Sequence, residues 1–119
     1  MKTVVIGAST NPDRYAYMAT EMLVKHGHEV VPVGINEGAI GEQKIITGMP
    51  DIKDVDTVTL YLSPRNQEGY IDYILESLKP RRIIFNPGTE NPGFETRAKE
   101  QGIEAIEACT LVMLSTGQF

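Results

Sequence analysis

Thr3-Val4-Val5-Ile6-Gly7-Ala8-Ser9-Thr10-Asn11-Pro12-Asp13-Arg14, near the start of the chain, decides the fold. Its first four residues are short, β-branched and continuously apolar, as in a strand covered on both faces of a parallel sheet. Gly7 ends that run and opens a polar loop. A helical pattern follows, with Tyr15, Met18, Ala19, Met22, Leu23 and His26 on one face. Gly27 stands where a left-handed residue closes a helix, with Lys25 in its last turn. Glu29 to Val33 is then a second strand. Strand, helix and strand form one βαβ unit of about 30 residues.

The rhythm weakens from Gly34 to Asp56, where Gly34, Gly38, Gly41, Gly48 and Pro50 interrupt any helical period. Ile40 and Ile45-Ile46 suit short strands or a ribbon, so the crossover helix is predicted to be missing or reduced to a turn near Asp51 to Asp54. Regularity returns with a third strand, Thr57 to Leu62. Ser63 as N-cap and Pro64 at the first helical position open a helix. Ile71, Ile74, Leu75 and Leu78 form its buried face, and Pro80 ends it. Arg82 to Phe85 is a fourth strand, Phe94 and Ala98 mark a short helix, and Ile103 to Ile106 is a fifth strand. Ala108 to Leu114 is an apolar tail of one or two helical turns. The reading is a doubly wound, Rossmann-like α/β fold. Its five-stranded parallel sheet is expected in the order 3-2-1-4-5, strands being counted along the chain.

Composition bounds the function. At 119 residues the chain is one domain's worth, expected to span positions 1–119 without a second core. The single cysteine cannot form an internal disulfide, and two histidines two positions apart make no rich metal cluster. A net charge of −5 carries no footprint for general nucleic-acid binding. No apolar run approaches the length of a membrane span or a signal sequence. These features predict a soluble, cytoplasmic protein with neither a nucleic-acid nor a membrane partner, and leave a homodimer possible.

Ligands of open parallel sheets bind beyond the carboxyl ends of the strands. Five loops converge there. They begin at Gly7, Gly34, Ser63, Asn86 and Glu107, and they are rich in glycine, proline and small polar residues. Such loops let a ligand approach backbone N–H groups closely. In the first, Gly7 makes the turn, Ser9, Thr10 and Asn11 offer donors and helix caps, and Arg14 adds a full charge in the first helical turn. A phosphate or diphosphate fits that arrangement. The same residues also fit a plain capped helix, with Arg14 a solvated side chain. His26 and His28 fall at the opposite edge and read as structural.

The dinucleotide fingerprint G-x-G-x-x-G is met only at Gly7, and the end of the second strand offers Gly34-Ile35-Asn36 before an acid arrives at Glu37. Both features argue against a nicotinamide dehydrogenase. No Ser-His-Asp set, carboxylate pair or metal cluster converges on the loops. Cys109 is the one reactive side chain there, and a small buried residue is the competing reading. Glu107 reads as a solvated strand-end carboxylate, with general base as the alternative.

Gly7-Ala8-Ser9-x-x-Pro12-x-Arg14, Val31-Pro32-Val33, Asn86-Pro87-Gly88 and Glu107-Ala108-Cys109-Thr110-Leu111-Val112-Met113-Leu114 together resemble the stand-alone bacterial CoA-binding domain proteins. These are similar to the N-terminal domain of the succinyl-CoA synthetase alpha subunit. The resemblance covers essentially the whole chain. It implies a small protein that binds coenzyme A or acyl-CoA without catalysis of its own. The synthetase's chemistry needs a phosphorylated histidine from a second domain. The resemblance places the CoA phosphates on Gly7, Ala8, Ser9, Thr10, Asn11 and Arg14. It places the adenine end near Val33, Gly34, Asn36, Leu62, Ser63 and Pro64, and the pantetheine arm along Asn86, Pro87 and Gly88 toward Cys109. The synthetase domain carries a lysine in the loop after strand 2. Here Gly34 to Ala39 holds no cation, and Lys44 is the nearest base. Two other readings remain open: an enzyme using NAD(P) or another nucleotide, and an interaction domain that has lost the contact to the CoA 3′-phosphate.

Overall fold

A computed structural model describes all 119 residues. Strands β1 (Lys2–Ile6), β2 (Glu29–Val33), β5 (Val55–Leu60), β6 (Arg82–Phe85) and β7 (Glu104–Glu107) form one parallel sheet. Strands β3 (Gly38–Ile40) and β4 (Gln43–Ile45) pair as a separate antiparallel ribbon. Helices α1 (Tyr15–Lys25), α2 (Pro64–Gln67), α3 (Pro92–Glu100) and α4 (Thr110–Ser115), with a π-helix over Tyr73–Leu78, cover the two faces. The pleat of β1 divides the core. Val4 and Ile6 pack with Ile74, Leu75, Phe85 and Phe94 on one face. Val5 packs with Ala16, Leu23, Ile40 and Leu114 on the other. Burial on both faces is why the strands read as unbroken apolar runs. No helix is long and apolar enough to cross a membrane.

The doubly wound fold is as expected, and the strand order is corrected. It runs β2-β1-β5-β6-β7, which in the counting of the five predicted strands is 2-1-3-4-5. The third predicted strand, β5, does not lie outside β2; it pairs with β1 on the opposite side. The position outside β2 is taken by the end of the ribbon, through one parallel bridge between Val33 and Ile46. There the Ile46 N–H donates to the Pro32 carbonyl at 2.9 Å, and the Gly34 N–H donates to the Ile46 carbonyl at 3.1 Å. Pro32 supplies the reason. A proline has no N–H for a ladder, so it belongs on an edge strand.

Two helices depart from their predicted form. α1 starts at Tyr15, so Arg14, expected in its first turn, is instead its N-cap and makes no side-chain bond. Ser9 and Asn11 cap the loop instead. Ser9 Oγ accepts from the Asn11 N–H at 3.1 Å, and Asn11 Oδ1 accepts from the Asp13 N–H at 3.0 Å. The helix predicted from Pro64 to Leu78 breaks after Gln67 and resumes with π winding. Lys79, in the left-handed region at φ 45°, donates five residues back to the Ile74 carbonyl at 3.0 Å. Gln67 explains the break. It is fully buried, and its amide donates to the carbonyls of Leu62 and Thr89, both at 2.8 Å.

Candidate ligand-binding cleft

Beyond the carboxyl ends of β1, β2, β5 and β6 lies an open cleft of about 560 Å³, a size ordinary for cofactor sites. The corrected strand order centres it. β1 and β5 are neighbours, and the chain leaves them toward opposite sides of the sheet, which parts the loops above. The loop after β5 therefore faces the loop after β1 directly; the order 3-2-1-4-5 would have put it on the far side of β2.

Backbone ties fix the first two loops against each other. The N–H groups of Gly7 and Ala8 both donate to the Val33 carbonyl, at 3.0 and 2.9 Å. A Cβ on Gly34 would lie 2.4 Å from the Ala8 carbonyl oxygen, so only glycine allows the approach. Gly7, at φ 98°, makes the turn that aims the rest of the loop across the cleft. The N–H groups of Ser9 and Thr10 have no acceptor within the protein. They sit beside the N-terminus of α1, whose first N–H groups also lack intrahelical partners. Arg14 forms no salt bridge and no side-chain hydrogen bond. It is also the only charged side chain among the lining residues. The chain carries a net charge of −5, yet its cleft is locally positive.

A buried polar network holds the other wall. Asn86 is 2% exposed. Its Nδ2 donates to Thr59 Oγ1 at 2.7 Å and to the Leu60 carbonyl at 2.9 Å, and its Oδ1 accepts from the Thr110 N–H at 2.8 Å. The Thr59 and Thr110 hydroxyls bond to each other at 2.7 Å. Thr89 Oγ1 donates to the Asn86 carbonyl at 2.8 Å. Asn91 Nδ2 donates to Gln67 Oε1 at 2.9 Å, while Asn91 Oδ1 caps α3 by accepting from the Phe94 N–H. Gln67 and Asn86 thus position the loops without facing a ligand. Tyr61, on the same wall, buries its hydroxyl beside the Thr59 and Thr110 pair. Burial pushes that phenol up to about 12.

Of the sixteen residues expected at the site, eleven line the cleft: Gly7, Ala8, Ser9, Thr10, Arg14, Gly34, Asn36, Leu62, Ser63, Pro87 and Gly88. Five do not. Asn11 lies in the outer turn of the loop, Val33 is buried and contributes only its carbonyl, and Pro64 starts α2. Asn86 has its amide fully engaged inside, and Cys109 caps α4. Lys44 stands on β4 opposite Ala39, exposed and outside the cleft. Glu107 is also outside it; a hydrogen bond with the neighbouring Glu95 carboxyl holds it above the usual carboxylate range. Seven lining residues were not anticipated: Tyr15, Ala16, Ile35, Tyr61, Asn66, Tyr70 and Thr89. Ile35, Asn66 and Thr89 sit in the predicted loops, and Tyr15 and Ala16 follow Arg14. Tyr70 reaches the cleft because the helix breaks at Glu68-Gly69, which the apolar period alone conceals.

Comparison with known proteins bears on the family and the fold. The profile of the CoA binding domain family matches residues 1–115. No curated protein matches the chain. A crystal structure of an uncharacterized protein is 53% identical, covers 99% of this chain and 97% of its own, and superposes with a TM-score of 0.96. A structure from Thermus thermophilus, 24% identical, covers 99% of this chain and 90% of its own at a TM-score of 0.85. Acetyl-coenzyme A synthetase 1 of Ca. Korarchaeum cryptofilum, in complex with phosphate and ADP, is 19% identical. That match covers 90% of this chain and 25% of the synthetase at a TM-score of 0.72. The last two are likenesses of fold. The match along nearly the whole chain and the 53% identical relative establish that this chain belongs to the CoA binding domain family.

Proposed function

We propose that the cleft binds coenzyme A or an acyl-CoA and performs no chemistry of its own. The observation that carries this reading is the pairing of the free Ser9 and Thr10 N–H groups with Arg14, the one charge lining the cleft, in a chain of this family. Backbone donors, a helix N-terminus and a guanidinium are together suited to a diphosphate. The opposite wall of Leu62, Asn66, Tyr70 and Thr89 is mixed apolar and amide or hydroxyl in character, as an uncharged pantetheine arm requires. The lining groups are hydroxyls, amides, apolar side chains and one guanidinium. That set can hold a ligand, and it offers no side chain tuned to move a proton near neutral pH.

The test is a thermal-shift titration with CoA, acetyl-CoA, ADP and NAD, followed by calorimetry. Stabilisation by the two CoA species beyond that by NAD supports the reading. Flat curves for both CoA species overturn it. A response to NAD alone would favour a nicotinamide-using enzyme.

A further inference from the structure

Helix α1 carries a wider apolar stripe than the fold covers. Its buried residues are Ala16, Ala19, Thr20 and Leu23. Three of these are small, while the larger Met18 and Met22 stay half-buried. With Leu111 of α4 they line an open groove of about 560 Å³ bounded by the two helices, and Glu21 and Lys25 complete the lining. Val112, next to Leu111, is 57% exposed. Methionine side chains adapt to whatever surface they meet, which suits a docking face.

The charges of the groove point to what covers it. The chain carries −5, so two copies repel one another in general, whereas the acid and the base of this lining cancel. Glu21 and Lys25 stand about one helical turn apart. Both are exposed, and neither forms an ion pair. In a two-fold dimer one patch meets itself, so that each residue faces its counterpart reciprocally. Two α1 helices packed antiparallel across such an axis set Glu21 of each copy against Lys25 of the other. The same patch then supplies two ion pairs around a centre of methionines. The open edge of the sheet is built the opposite way. β7 has a neighbour on one side only, and antiparallel pairing with itself would set Glu104 opposite Glu107 at both ends. Like charges directly opposite destabilise a ladder, so that edge resists a second copy.

We infer that α1 and α4 form the two-fold interface of a homodimer of this chain, with Glu21 and Lys25 pairing reciprocally across it. Each ligand cleft lies at the N-terminal end of its own α1, where Tyr15 and Ala16 line it. Antiparallel helices therefore put the two clefts at opposite ends of the dimer, both open. The face is small, one helix of 11 residues and one of 6. Dissociation in the micromolar range is expected of an interface of that size class.

Sedimentation velocity of the full chain tests it from about 1 to about 500 µM, a range that brackets a micromolar Kd. The wild type should pass from the mass of one chain to twice that mass. Glu21→Lys and Lys25→Glu should each weaken association by roughly tenfold or more, because both ion pairs become repulsions. An equimolar mixture of the two variants should associate again, since each then meets the opposite charge. Both positions are exposed and unpaired, so the dilute variants should keep the circular dichroism and melting temperature of the wild type. A wild type monomeric throughout that range would overturn the inference and leave the groove to a different partner. A dimer indifferent to either charge reversal, or variants that stay apart on mixing, would overturn this interface.

Discussion

Replacing Asn86 by alanine should cost this protein a large share of its stability, although the residue lies next to the cleft and reads in sequence as a ligand contact. The magnitude follows from its partners. Three hydrogen bonds disappear, two donated to Thr59 and Leu60 and one accepted from the Thr110 N–H. The Thr110 N–H is then buried with no other acceptor, while Thr59 keeps its bond to Thr110. At about 1 kcal/mol for each lost bond, plus about 1–2 kcal/mol for the stranded donor, the sum is about 4–5 kcal/mol. For a chain of this length, each kcal/mol moves the melting temperature by roughly 4 °C, so Tm should fall by roughly 16–20 °C. Urea denaturation gives the sharper assay: the midpoint should drop while the m-value holds, since the exposed surface is unchanged. A loss below about 1 kcal/mol at constant m would refute the reasoning, because it would mean that the network is not satisfied by this amide.

Three further outcomes follow. Arg14→Ala should leave Tm unchanged, because the side chain has no partner in the protein. It should weaken any diphosphate-bearing ligand by about 1.5–3 kcal/mol, read as a ten- to hundredfold rise in Kd by calorimetry; an unchanged Kd would displace the phosphates from this loop. Gly34→Ala should lower both Tm and ligand affinity, since its Cβ would meet the Ala8 carbonyl at 2.4 Å and neither backbone can yield alone; a variant melting and binding like the wild type would contradict that contact. The paired hydrogen bonds from Arg81, at 2.9 and 3.3 Å, hold the Asp56 carboxyl below its ordinary 3.8. That contribution is fully present above about pH 4 and is lost as pH falls through the lower folded value. The urea midpoint of Asp56→Asn should therefore depend less on pH below 4 than that of the wild type, and parallel curves would refute the pairing.

How much could be read from the chain divides along physical lines. Local signals were clear. The β-branched runs, Gly27, Pro64 and the Phe94–Ala98 spacing placed strands and helices close to where they lie, because strand burial and helix ends are governed by neighbours in sequence. Pairing between distant segments was less legible. The sheet order hinged on Pro32, whose missing N–H marks β2 as an edge strand; the continuous apolar pattern of Val30 to Val33 masks that signal. The break after Gln67 arises from contacts with Leu62, Thr89 and Asn91 that no periodicity encodes. Asn86 shows the same limit within the site. An amide at a strand end suits a ligand or a buried network equally, and only the placement of Thr59 and Thr110 decides between them.

The two hydrogen bonds donated by Gly7 and Ala8 to the Val33 carbonyl have an evolutionary consequence. The proposed anion seat takes its donors largely from main chain, so drift at Ser9 or Thr10 would leave those donors in place. The rim differs. Ile35, Asn36 and Glu37 are exposed and bear little of the fold, so selection can rewrite them freely. On the proposed reading, a lineage of such proteins can keep one main-chain grip on a diphosphate while the side chains of the rim are revised.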